Sequence, residues 1–198
     1  MGVSLHCTKL TNYFNLESFV IFSDGKVPRQ MAEHYGRELT LNERLKNKIF
    51  GISFFKPVEG QPNVLSKWFE IRNFSVRPHL DQLTKGLIFR LTGTKEMDAL
   101  AIKYSEIRRI RLSRIPDRVT PIPLSPFWLL LKLGFEPRKV RWFAFSWRFE
   151  FEFGDMTATI ELDEHEPISI TWNARHEPAV NKFFNSNFLA AKLKEDAS

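Results

Sequence analysis

The densest group of possible metal ligands in the 198-residue chain is Asp163-Glu164-His165-Glu166, with His176-Glu177 a little downstream. Carboxylate oxygens and imidazole nitrogens are the donor types that hold a divalent ion, so a metal-dependent enzyme centred on this turn is one reading. Adjacent residues of a turn point in different directions, however, and the segment reads better as the solvated tip of a hairpin. Gly93 in LTGTKE lacks the repeated glycines and following helix of a phosphate loop. Cys7 is the single cysteine and lies near a terminus, while His34 and His79 stand alone, so no nucleophile is paired with a base. The sequence leads us to expect no catalytic residue, no metal site and no cofactor, in a protein that binds rather than transforms.

Charge and apolar content are concentrated in the middle of the chain. Residues 102–148 hold eleven basic residues against three acidic, whereas residues 149–198 hold four against ten. Arg108, Arg109, Arg111, Arg114 and Arg118 precede the apolar run PIPLSPFWLLLKLGF at 121–135, and Arg138, Lys139, Arg141 and Arg148 follow it. If both flanks lie on neighbouring strands, Phe127 and Trp128 are presented between two basic walls, which suits an anionic membrane surface. The same run also fits a core-packed turn of helix, or an interface with a protein partner or a second copy of the chain. A third use of the arginines is to grip nucleic-acid phosphates, with Trp142 or Tyr104 stacking on bases. No RNP-type aromatic-glycine pattern and no zinc spacing accompanies them, so nucleic acid is the less favoured partner. The run is too short to cross a bilayer and carries Lys132 in its middle.

The elements that position these residues differ on the two sides of KPVEGQPN at 56–63, a loop rich in proline and glycine. Before it, Thr40 and Glu43 match a capping box, and Leu41, Leu45 and Ile49 recur at helical spacing up to Gly51. Pro28 can open an earlier helix with Met31 and Tyr35 on one side, which Gly36 weakens. After the loop the period becomes two, with strands predicted at 68–76, 87–92, 99–104 and 108–114. The longest alternation is VRWFAFSWRFEFEF at 140–153, which places Phe143, Phe145, Trp147, Phe149, Phe151 and Phe153 on one buried face. Gly154-Asp155 then predicts a tight hairpin, followed by strands at 156–162 and 168–172. Pro178, Val180, Phe183, Phe184, Phe188 and Ala191 form the stripe of a carboxy-terminal helix, with Lys192 and Lys194 near its negative end.

An antiparallel series closed by one amphipathic helix resembles the pleckstrin-homology-like superfold, with its GRAM and bacterial variants. The residues that carry the likeness are ALAIKYSEIRRIRL at 99–112, where Tyr104-Ser105-Glu106-Ile107 makes a short polar step before an isoleucine re-enters the core. ISITWNARHEPAVNKFF is similar to the passage from last strand to helix in those families. The resemblance covers about residues 66–194 and implies a binding module for lipid head groups, peptides or proteins, without catalysis. The expected fold is α+β and mainly antiparallel, a barrel or curved sheet at 66–198 with a helical amino-terminal extension at 1–65. Its expected working residues are Arg108, Arg109, Arg111, Arg114, Arg118, Arg138, Lys139, Arg141, Phe127 and Trp128. One cysteine and the absence of a signal-like leader point to a cytoplasmic address, peripheral at a membrane if lipid is the partner. Gly2 after Met1 does not make a myristoylation signal, because His6 stands where serine or threonine is required.

Overall fold

A computed structural model describes residues 18–21, 27–47, 49–53, 55–58, 65, 77–92, 97–145, 147–186 and 188–195. The strand expected at 68–76, Cys7, Gly93 and most of the 56–63 loop lie outside these residues. The chain runs through β1 (Ser18–Ile21), α1 (Arg29–Tyr35), α2 (Leu41–Asn47), β2 (Ile52–Ser53), β3 (Lys56–Pro57), β4 (Arg77–Gln82), β5 (Gly86–Thr92) and β6 (Met97–Lys103). It continues through β7 (Ile107–Arg114), β8 (Arg118–Val119), α3 (Pro126–Lys132), α4 (Pro137–Val140), α5 (Trp147–Glu150), β9 (Phe151–Glu152), β10 (Asp155–Leu162), β11 (Ile168–Asn173), α6 (Glu177–Phe184) and β12 (Leu193–Glu195).

The protein is α+β and mainly antiparallel, as its alternating segments require. One sheet has the order β1-β6-β5-β4-β2 and the other β12-β7-β10-β11-β3; they are curved, packed layers and do not close into a barrel. Among the described residues all strand pairings are antiparallel except β12 with β7. The stretch before residue 65 contains both predicted helices and also supplies edge strands to the two sheets, through β1, β2 and β3.

Period-two alternation explains the interior. Leu87, Phe89 and Leu91 of β5 share a core with Met156, Ala158, Ile160 and Leu162 of β10 and with Trp172 of β11. Ile88 points the other way and packs with Tyr35 and Met31 of α1, so β5 is buried on both faces. A register shift at Glu161/Leu162 lets Ile107 and Ile110, three residues apart, both reach the core. Between the sheets, Tyr104–Glu106 forms a 3-10 turn whose Tyr104 hydroxyl donates to the Leu83 carbonyl at 3.0 Å. Ile107 re-enters the core immediately after it, as the polar step in the sequence suggests.

Several expectations are corrected. The segment 140–153 is a strand only at its end, in β9; the rest is α4, a 3-10 turn at Arg141–Phe143, and α5. Phe143, Phe145 and Phe149, expected on the buried face, are exposed, whereas Glu150, expected to face outward, is fully buried. Both edges of β10 are taken by β7 and β11, so a long strand at 140–153 finds no ladder partner beyond the two residues of β8. Gly154-Asp155 is not a hairpin: β9 and β10 do not pair, and the positive-φ glycines among the described residues are Gly36 and Gly134. Gly154 is instead needed for close approach, since a Cβ there would lie 2.0 Å from the Ile115 carbonyl oxygen.

The carboxy-terminal helix is shorter than its apolar stripe. It ends at Phe184, Ala191 falls in an exposed 3-10 turn, and Lys194 belongs to β12 rather than to a helix end. Phe188 stacks on Tyr104 with ring centroids 5.8 Å apart. In α2 the capping box forms, with the Glu43 amide donating to Thr40 Oγ1 at 3.3 Å and the Thr40 amide to Glu43 Oε2 at 2.8 Å. Leu41 and Leu45 are nevertheless exposed. The helix is oriented by Arg44, whose Nη1 and Nη2 donate to the buried Asp81 carboxylate at 2.8 and 2.7 Å.

Asp81 also accepts from the Gln82 amide at 2.8 Å and lies 3.5 Å from Arg90 Nη1, so α2, β4 and β5 meet at one carboxylate. Asp81→Ala removes the carboxylate from the part-buried Arg44 guanidinium, while Arg90 keeps its ion pair with Glu38, and is expected to cost about 1.5–3 kcal/mol in urea unfolding. A loss below about 1 kcal/mol would instead place this pair among solvent-screened ones.

Candidate interaction surface

The insertion between β7 and β10 is a small helical unit rooted on the β8–β9 ladder. Its own interior is Phe127, Val140 and Phe151, with Val119, Leu130, Leu131, Ala144 and Phe153 packed around them. Ser125 starts α3: its Oγ accepts from the Trp128 amide at 3.0 Å, and Pro126 fills the first helical position, where no donor is needed. The same Oγ donates to Glu150 Oε1 at 2.5 Å. Glu150 further accepts from the amides of Ile122 at 2.9 Å and Phe145 at 2.7 Å, which ties the entrance of the insertion to its exit. Leu124 takes a left-handed backbone, φ 66°, a costly state for a branched side chain that these neighbouring bonds hold in place.

Three apolar side chains fill that interior, five more pack partly buried against it, and many of the other large ones described face water. Among the described residues, nine of the fourteen exposed large hydrophobic side chains lie between 120 and 150. Trp142 is 78% exposed, Phe149 77%, Phe145 74% and Leu133 74%, with Leu129, Phe135 and Phe143 close to half exposed. Isolated exposed apolar residues are ordinary, so a concentration of this kind makes the insertion the candidate interaction surface. Phe127 is therefore corrected from a contact residue to a core residue, and Trp128 is half-buried beneath the Lys132 ammonium at 5.6 Å. The alternation puts Trp142 on the outward parity, where it is exposed, but misses Phe145 and Phe149 as surface residues; the signal was Pro137, which opens a helical turn instead of continuing a strand.

The arginines do not form one unpaired wall. Arg108 and Arg111 both contact Glu161, at 3.0 and 2.7 Å, and Arg108 above all holds the Glu161 carboxyl below its usual range. Arg109 is half-buried on the same strand. Arg138 clasps Asp117 through Nε and, at 3.0 Å, through Nη2, and its Nη1 reaches Glu177 at 2.7 Å. Arg114 approaches the same two carboxylates at 3.2 and 3.6 Å. This knot joins the insertion to the end of β7 and to the start of α6. Lys139 pairs with Glu136 one helical turn away, both well exposed, a contact worth little.

The cations without a carboxylate within ion-pair distance, among the described residues, include Arg118, Lys132 and Arg141. Arg141 lies over the Trp142 ring at 4.5 Å and the Phe153 ring at 5.3 Å, and its Nη1 donates to the Arg138 carbonyl. The acidic turn is a solvent-facing hairpin, and among the described residues no group of three His, Cys, Asp or Glu side chains could hold a metal ion. Among them, too, no helix is long and apolar enough to cross a membrane. A comparison with protein-family models, with curated proteins and with solved structures produced no match to this chain.

The Arg138 hydrogen bonds hold the Asp117 carboxyl below its ordinary value, with the Gly154 amide adding to the effect. A depressed folded-state pKa contributes stability above the unfolded value of about 3.9, and that stability disappears as pH falls through the folded value. Arg138→Ala is thus expected to destabilise the protein at neutral pH by about 1–3 kcal/mol. Unfolding measured across the acid range should show this gap closing below about pH 4. A gap independent of pH would mean that Arg138 acts through its packing on Phe153 and not through Asp117.

Proposed function

We propose that this protein is a non-enzymatic binding module that docks on an anionic membrane surface through the helical insertion. The carrying observation is that Trp142, Phe145 and Phe149 of the insertion stand in solvent, with Arg141 over the Trp142 ring and Lys132 over the Trp128 ring, cations that no carboxylate in the described residues neutralises. Moving one such ring out of water yields about 1.5–3 kcal/mol, and each cation near anionic lipid about 1 kcal/mol. Stable attachment at an interface needs more than one such signal, and the insertion carries both kinds.

The arginine-rich strand is a poorer docking surface than its sequence suggests, because Glu161 occupies Arg108 and Arg111. The reading also accords with the resemblance to the pleckstrin-homology-like superfold, whose implication is a binding role. The antiparallel strands followed by α6 support that likeness in order, while the insertion is a departure from it. A cytoplasmic protein peripheral at the membrane is the address this function implies.

Flotation with vesicles of neutral phospholipid, alone or mixed with phosphatidylserine, tests the reading. The full chain should float with the anionic vesicles, and added salt should weaken the association. Trp142→Glu or Phe145→Glu should weaken binding about tenfold or more, with unfolding changed by less than about 0.5 kcal/mol. Binding that survives both substitutions, or concentration-dependent self-association with no flotation, would sink the reading.

A further inference from the structure

We propose that this surface reads the charge density of the bilayer and not the stereochemistry of one headgroup, an inference that rests on the membrane reading above. Selective capture of a phosphate requires several N–H donors to converge on one point, as an arginine fork or a set of backbone amides does. Arg138, Arg141 and Lys132 of the insertion are deployed differently. The Arg138 fork is filled by Asp117 and Glu177. Arg141 lies over the Trp142 ring, with one nitrogen spent on a backbone carbonyl. Lys132 sits singly over Trp128. Where arginines do converge, on β7, the protein's own Glu161 takes the anion's place.

Arg141 and Lys132 are therefore each coupled to an aromatic ring and not to a shared anion site. When Trp142 enters the interface, its guanidinium partner is carried to the level of the lipid phosphates. There it is attracted to whichever anionic groups are nearby, because Coulombic attraction to a charged surface has no directional requirement. Selectivity should then follow total surface charge and ionic strength.

The test uses the full chain with vesicles containing phosphatidylserine, phosphatidylglycerol or a phosphatidylinositol bisphosphate, matched for total negative charge. Affinities should agree within about twofold across the three, since only charge is read. Arg141→Gln and Lys132→Gln should each weaken binding about fivefold on every vesicle type. Free inositol trisphosphate and inorganic phosphate, at constant ionic strength, should not displace the protein. A preference above about tenfold for one headgroup at matched charge, or displacement by the soluble phosphates, overturns this inference and leaves membrane docking intact. Failure to bind any anionic vesicle overturns both.

Discussion

The whole arrangement depends on two sheets whose apolar faces are stable only while pressed against each other. Phe55 is the clearest sign of this constraint. The chain pairs with β4 at Ile52–Ser53 and with β11 at Lys56–Pro57, so it passes from one sheet to the other within a few residues. Phe55 lies between, fully buried, edge-on to Phe89 of one sheet at 5.9 Å and to Trp172 of the other at 6.0 Å. Phe184 of α6 continues the cluster against Trp172. Aromatic rings fill such a space with large area and edge-to-face geometry, which accounts for part of the chain's unusual phenylalanine content.

The insertion obeys the same physics at a scale where it fails to conceal everything. A unit this small has too much surface for its volume, and its interior is satisfied by a few side chains around Phe127 and Phe151. What keeps it ordered is polar: the buried Glu150 collects donors from both of its ends. The aromatic residues left outside are consequences of that geometry, and they give the protein its most distinctive surface. The Asp117, Arg138 and Glu177 knot then fixes this surface against the sheets and α6.

The two ionic clusters near the sheets show how little a basic count says about free charge. Arg44 and Arg90 meet at Asp81, and Arg108 and Arg111 meet at Glu161, with partners 37 and 53 residues away for Arg44 and Arg108. Pairings at that separation leave no trace in a local pattern, since they depend on which strands lie side by side. The cations that matter for an outside partner are those left after such pairing.

The order of most strands, the polar step before Ile107, the inward parity of β7 and β10, the Thr40 cap and the apolar stripe of α6 are all legible in the residues. They rest on local rules: a period of two or 3.6, a capping oxygen, a proline at a first turn. The run at 140–153 deceived the same rules, because alternation records which side chains could share a face and not whether a neighbouring strand exists to pair with. Likewise Leu41 and Leu45 had the spacing of a core face, but a bond from Arg44 to Asp81 turned the helix another way. By itself the sequence determined an antiparallel, aromatic-rich α+β protein with a basic middle. Only the tertiary structure decided which rings face water and which arginines keep their charge available, because burial and ion pairing belong to neighbours in space.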